Sequence, residues 1–361
     1  MRLAVVALAL AACAAPPPPQ AAQSSPPPWR VRGPGGLAPI EPGTRADALL
    51  RPAACAGCHP AEHAEWAQSR HAAAWTNGIF QREYKDVPRR WCVHCHAPLT
   101  PQVEEVAAGV DGGAAAEGVT CAACHVRDGQ LVARRRGPTS PHRTIVRPDF
   151  GSAAFCADCH QFPFPRLDDR GDAVGLTPHP MQDTVGQFWR GPFGTASHGC
   201  LDCHGSPSGH AFRGGHDPGM LAGALRHQVC RDADSLVVEL RNAGAGHRVP
   251  TGDVHRHLVA RLWRASAPEA LFEIFVGRRF APDPAGGKRL TWDSTLAPGE
   301  VRSWRVQLID LGGDLDEPVD FELRYVYTID EIPHAHRAPG EPTSQVIADA
   351  RYPVASLPTC R

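Results

Sequence analysis

The sequence predicts two dissimilar domains in series: a mostly α-helical and coil region, followed by an all-β domain of the immunoglobulin-like sandwich kind. Two observations lead to this. Between residues 55 and 204 a five-residue phrase, C-x-x-C-H, occurs five times, in a chain whose 35 Gly and 36 Pro among 361 residues favour loops over long elements. From Val229 onward the phrase disappears and apolar residues alternate with period two, the mark of strands with one buried face.

The five copies are Cys55-Ala-Gly-Cys58-His59, Cys92-Val-His-Cys95-His96, Cys121-Ala-Ala-Cys124-His125, Cys156-Ala-Asp-Cys159-His160 and Cys200-Leu-Asp-Cys203-His204. With 13 Cys and 19 His in the chain, chance supplies only about 0.02 such strings, so the repetition has a chemical cause. Two thiols three positions apart on a helical turn can each add to one vinyl group of a porphyrin, and the adjoining histidine then reaches the iron. The spacing therefore predicts five covalently attached c-type haems, bound through Cys55, Cys58, Cys92, Cys95, Cys121, Cys124, Cys156, Cys159, Cys200 and Cys203. The iron ligands of the motifs are His59, His96, His125, His160 and His204. Structural zinc also uses C-x-x-C pairs, but it needs them in twos and has no use for the histidine that follows each one.

Taken in order, residues 1–12 place Arg2 before an apolar run too short to span a bilayer, the layout of a secretory signal. Leu10-Ala11-Ala12-Cys13 resembles a bacterial lipobox, which predicts export and a lipid on Cys13 holding the chain to a membrane; an ordinary signal peptide is the alternative. Ala14 following the cysteine favours the outer membrane. Residues 13–48 are rich in Pro and Ala, with Pro16–Pro19 and Pro26–Pro28, and predict an extended tether. Residues 49–229 carry the motifs. Each haem has a few dozen residues to itself, too few for a conventional core, so this region depends on its porphyrins to fold. Pro60 to Trp75 reads as one helix; elsewhere, as at Pro163–Pro165, short helices and coil are expected.

Residues 230–361 supply the strands: Leu236, Val238, Leu240; Leu258, Ala260, Leu262; Phe272, Ile274, Val276; Trp304, Val306, Leu308; Phe321, Leu323, Tyr325, Tyr327, Ile329. Cys230 and Cys360 are left over at the two ends of this domain. In an oxidising compartment they are expected to pair, the alternative being two free thiols.

The net charge of −1 gives no reason to expect nucleic acid as a partner. Fourteen histidines remain outside the motifs, and Met, with three residues, is too scarce to complete five irons. The candidates for the distal position are His71, His142, His210, His216 and His247. His63, His94, His179 and His198 form a second tier; His255, His257, His334 and His336 read as surface or structural residues.

Cys55-x-x-Cys58-His59 followed by Trp66-x-x-Ser69-x-His71-Ala72, then Trp91-Cys92-Val-His-Cys95-His96-Ala-Pro98, Glu117-Gly118-Val119-Thr120-Cys121, Cys159-His160-Gln161-Phe162 and Pro180-Met181-Gln182-Asp183-Thr184 resemble multihaem cytochromes of the cytochrome c-554 family. The resemblance covers about half of the chain. It implies mostly bis-histidine, low-potential, closely stacked haems that pass electrons between redox proteins in the periplasm. Gly246-His247-x-x-Pro250-Thr251-Gly252 and the β module are similar to segments attached to many multihaem cytochromes. Founding members carry four haems, so the fifth motif and the sandwich are additions, and ligand pairing does not carry over wholesale. An electron relay is the leading expectation. The alternative is an oxidoreductase acting on a small nitrogen or sulfur species at one open-coordinated haem, with Arg134-Arg135-Arg136 and Tyr84-Lys85 as candidate charged or proton-active neighbours. A third reading makes the β domain the docking end.

Overall fold

In the motif-bearing half, buried apolar side chains gather in three separate patches of three to six residues; in the other half a single core holds 22. The computed structural model describes residues 39–360 apart from 111, 138–140, 169–172, 195–197, 206–207, 285–286 and 329–341. The signal segment, Cys13, most of the tether, Ile329, His334 and His336 lie outside the described residues.

Short helices dominate the first half: Asp47–Leu50, Pro52–Ala56, Pro60–Ala67, Gly78–Asp86, Arg90–His96, Thr100–Ala107, Cys121–His125, Ala153–His160, Thr184–Arg190, Cys200–His204 and Pro218–Ala224. Three short strands, β1 (Val126–Arg127), β2 (Gln130–Ala133) and β3 (Thr144–Val146), follow the third motif, with β2 and β3 parallel.

Two expectations are corrected here. The helix begun at Pro60 ends at Ala67. Ser69, almost fully buried, turns its hydroxyl to accept from the Ala72 N–H, competing with the helical ladder. The carbonyl of His71 is also taken by the Val119 N–H at 2.9 Å. The Pro163–Pro165 stretch is strand rather than coil: β4 (Gln161–Leu167) pairs antiparallel with β5 (Ala173–Asp183). A two-stranded ribbon tolerates prolines because its register shifts at them and no third strand asks for their missing N–H.

The second half is built from β6 (Leu225–Asp232), β7 (Ser235–Asn242), β8 (His257–Arg264), β9 (Ala267–Val276), β10 (Arg278–Pro282), β11 (Lys288–Asp293), β12 (Val301–Gln307), β13 (Val319–Val326) and β14 (Ser344–Tyr352). One sheet runs β12-β7-β6 and a second β14-β13-β8-β9, with β10–β11 a separate hairpin. Leu236, Val238, Leu240 and Val306 of the first sheet share one core with Leu258, Leu262, Ile274, Phe321 and Leu323 of the second, so the alternation read from sequence is the inward face of two sheets. Leu308, read as strand, instead opens the 3₁₀ turn Leu308–Leu311. Fully buried Arg264 explains this turn: its guanidinium donates to the carbonyls of Leu308 (2.9 Å) and Gly312. A disulfide joins Cys230 to Cys360, 130 positions away.

The two halves meet through polar contacts. The Tyr327 hydroxyl donates to the Gly215 carbonyl (3.0 Å), Thr251 donates to Gln187 Oε1 (2.7 Å), and Arg278 donates to the Met181 carbonyl (3.4 Å). No helix among the described residues is long and apolar enough to cross a membrane.

Candidate haem-binding sites

Sites 1 to 5 are numbered by motif order. Each motif lies on a helical turn, which puts its two cysteines at i and i+3 on one face: sites 2 to 5 on Arg90–His96, Cys121–His125, Ala153–His160 and Cys200–His204. At site 1 the helix Pro52–Ala56 ends early, and the His59 N–H still reaches the Cys55 carbonyl at 2.9 Å.

Four of the motif histidines face a second imidazole, and the ring centres are nearly equally spaced. His59 and His142 are 6.2 Å apart, His160 and His71 6.2 Å, His125 and His210 6.1 Å, and His204 and His247 6.1 Å. This spacing tests whether haem fits. With a metal–imidazole bond of about 2 Å and about 1 Å from ligating nitrogen to ring centre, two rings on one metal stand about 6 Å apart. A direct ring stack would be much closer, and His216 on Tyr327, at 3.9 Å, shows the contrast.

Tautomer points the same way. Nδ1 of His96, His125, His210 and His247 lies 2.7, 3.0, 2.7 and 2.8 Å from the carbonyls of Ala74, Val132, Ser208 and Arg248, and Nδ1 of His204 meets the carbonyl of Arg213. A carbonyl only accepts, so Nδ1 carries the proton and Nε2 keeps the lone pair an iron needs. Burial favours the neutral form of five of the histidines. It lowers the pKa of His71 to about 3, with His160 adding to the effect, and that of His247 to about 4; His96, His125 and His160 are lowered for the same first reason.

Site 2 differs. His96 is stacked face to face on Phe80, at 3.6 Å and 7°, within a wall of Trp75, Phe80 and Tyr84. No second imidazole faces it among the described residues. His216 is not brought to a motif histidine: it rests on Tyr327, with Nε2 buried and without a hydrogen-bond partner. Of the second tier, His63 packs against Trp66, His179 lies 3.3 Å from Asp283, His198 packs against Phe193, and both ring nitrogens of His94 are buried without partners. His255 lies 3.6 Å from Glu83, and buried His257 stacks on Phe275.

Successive sites are in contact, though not in chain order. The thiols of Cys55 and Cys121 form a hydrogen-bonding contact, as do those of Cys156 and Cys200. Cys124 feels Cys159, and His160 feels both His204 and His96. No three His, Cys, Asp or Glu side chains converge as a metal cluster among the described residues.

Residues 54–126, which span the first three motifs, match the family model described as cytochrome c554 and c-prime. A crystal structure of a penta-heme cytochrome c552 from Thermochromatium tepidum superposes with a TM-score of 0.60 at 20% identity, over 83% of this chain and 97% of that one. The chain shares the fold of that penta-heme cytochrome. No curated protein sequence matches the chain. The family model finds the first part of the region read as resembling the c-554 family, up to the third motif, and haem c is the cofactor that family implies.

Sequence reading missed the residues that hold two of the histidines facing motif histidines. Asn242, fully buried at the end of β7, donates to the carbonyls of His247 (2.8 Å) and Leu296 (3.1 Å) and accepts from the Ala245 N–H, fixing the loop that presents His247. Gly118, Val119 and Gln102 do the same for His71. Trp66 Nε1 donates to the Val119 carbonyl at 2.8 Å, and buried Gln102 donates to the Gly118 carbonyl at 2.9 Å. A glycine before a haem motif was the available signal.

Proposed function

We propose that the chain is a pentahaem electron-transfer protein, with haems on all five motifs and four bis-histidine sites: His59/His142, His125/His210, His160/His71 and His204/His247. The observation that carries this reading is the common spacing of 6.1–6.2 Å in those four pairs. A haem iron held between two imidazoles exchanges one electron with little change in ligation, which is the chemistry the cofactor supplies. The chain's own residues keep His71, His125, His160 and His247 neutral by burial, aim Nε2 of His125, His204, His210 and His247 through carbonyls on Nδ1, and hold neighbouring motifs in contact. The contacts support a row of sites 1-3-4-5, with site 2 joining at site 4. Cys58 and Cys203, at the two ends of that row, are the exposed motif cysteines, so partner redox proteins would meet the row there.

The wider reading follows from sequence. The chain is exported, anchored by lipid on Cys13 at the periplasm or outer membrane, and held off by the tether up to residue 48. Residues 49–229 form the haem domain and 230–361 the β domain. The strand orders β12-β7-β6 and β14-β13-β8-β9 support an immunoglobulin-like arrangement of the latter. The oxidoreductase alternative rests on site 2, where His96 faces no imidazole among the described residues.

Mass spectrometry of the exported protein, with electron paramagnetic resonance during a redox titration, tests the proposal. It expects five added haems, at least four of them low-spin when oxidised. A protein with fewer haems, or with mostly high-spin iron, overturns it.

A further inference from the structure

Glu65 belongs to no motif and no histidine pair, yet its carboxylate reaches the loop that presents His210. It sits on the helix Pro60–Ala67, which starts on the residue after His59. Across 145 positions of sequence, Glu65 Oε2 accepts from the His210 backbone N–H at 3.2 Å. The same oxygen accepts from the Ser208 hydroxyl. The Ser208 carbonyl in turn lies 2.7 Å from His210 Nδ1 and takes its proton. Between the two, Gly209 has φ of +82°, a left-handed turn that folds His210 back on Ser208 and that glycine enters freely. One carboxylate oxygen therefore fixes the residues on both sides of this turn. Through them it fixes the ring that stands 6.1 Å from His125.

Two consequences separate. The first is geometric. Sites 1 and 3 already touch through Cys55 and Cys121, and Glu65 makes the helix that leaves site 1 hold the imidazole facing site 3. The second is electrostatic. Glu65 is half-buried, so its charge is screened less than that of a surface carboxylate. A negative charge bonded to the backbone of a ligating histidine, and to the serine that holds its Nδ1 proton, favours a ferric over a ferrous iron.

We infer that Glu65 is a positioning residue for site 3, placing His210 opposite His125 and holding down the reduction potential of the haem bound there. The inference rests on the reading of His125 and His210 as an iron-ligating pair, and the experiment separates the two.

The test uses the full-length, haem-loaded protein, with electron paramagnetic resonance for spin state and a spectroscopic redox titration for the midpoints. Glu65→Ala removes the acceptor of both bonds. It should convert one low-spin haem to high-spin, the same haem that His210→Ala converts, with five haems still attached. Glu65→Gln keeps an amide oxygen able to accept both bonds, so the wild-type spin count should return. With the charge gone, the oxidised-to-reduced ratio of that haem at fixed potential should fall roughly tenfold, about 59 mV for a one-electron couple. Glu62→Ala, on the same helix, should keep the wild-type spin count. If Glu65→Ala does not accumulate, the midpoint shift in Glu65→Gln still decides. A Glu65→Ala protein with the wild-type spin count, or a Glu65→Gln protein with all five midpoints unmoved, overturns the role of Glu65 and leaves the relay standing. A wild-type protein with fewer than four low-spin haems overturns the pairing, and the role of Glu65 with it.

Discussion

Replacing Gly118 with alanine should damage two things that look unrelated in sequence: the stability of the haem half and the ligation of site 4. Gly118 has φ of +64°, and a Cβ there would lie 2.5 Å from the His71 carbonyl oxygen and 2.6 Å from that of Ala72. Both partners are backbone, so neither can swing aside. The left-handed conformation alone costs an alanine about 1–2 kcal/mol. Relieving the clash means separating the two segments. That breaks the Val119 N–H to His71 carbonyl bond and the Trp66 indole bond to Val119, about 1 kcal/mol each and more if the indole N–H stays buried without a partner. The total is about 3–5 kcal/mol. For a domain of this size that corresponds to a fall of roughly 6–20 °C in the unfolding midpoint.

The second effect distinguishes this from ordinary destabilisation. His71 leaves the helix that precedes it because its carbonyl is bound by Val119, and only then does its ring come within 6.2 Å of His160. Gly118→Ala should therefore convert one low-spin haem to high-spin, the same haem that His71→Ala converts, while all five remain covalently attached. Calorimetry and electron paramagnetic resonance on the two variants make the comparison. A Gly118→Ala protein with the wild-type midpoint and the wild-type spin count would refute the argument that this crossing positions His71.

Single alanine substitutions of His142, His210 and His247 should each convert one low-spin haem to high-spin and leave the covalent haem count at five, as mass spectrometry and resonance spectra will show. His216→Phe, which keeps a ring on Tyr327, should leave the spin count unchanged. Burial, then Arg256 and Arg70, hold His216 down to about 3 in the folded chain, below its unfolded value near 6.5. The folded state therefore resists the proton, and the stability this ring contributes is present above about pH 6.5 and lost as pH falls toward 3. Removing the titration should move the acid-unfolding midpoint of His216→Phe downward. Arg264→Met leaves the carbonyls of Leu308 and Gly312 without their buried donor and should cost about 3–5 kcal/mol in chemical denaturation, with haem spectra unchanged. Replacing Cys230 and Cys360 with serine opens a 130-residue separation, and loop entropy puts the loss at about 4–5 kcal/mol, seen as a lower denaturation midpoint.

Which parts of this structure were readable from sequence follows from how far apart the interacting residues are. The cysteines and motif histidines stand within five positions of one another, so a linear pattern contains their whole geometry, and the two-sheet core was readable because core residues recur at every second position along strands such as β7, β8 and β13. Distal ligation is another matter. His59 meets His142 and His204 meets His247, over separations no spacing rule spans. His71, on the other hand, lies within a dozen residues of motif 1 yet faces motif 4, so nearness in sequence would have set it against the wrong histidine. His216 looked as good a ligand as His210 because both flank the same glycine turn, but Tyr327, just past the end of β13 and more than a hundred residues away, takes its face. The residues that settle these pairings, Gly118, Gln102 and Asn242, carry no metal-binding chemistry of their own. They act by claiming backbone carbonyls from outside the local element, as Arg264 does when it turns the end of β12 from strand into a 3₁₀ turn. Local pattern thus named the candidate histidines, and long-range hydrogen bonds to the backbone decided which of them meet.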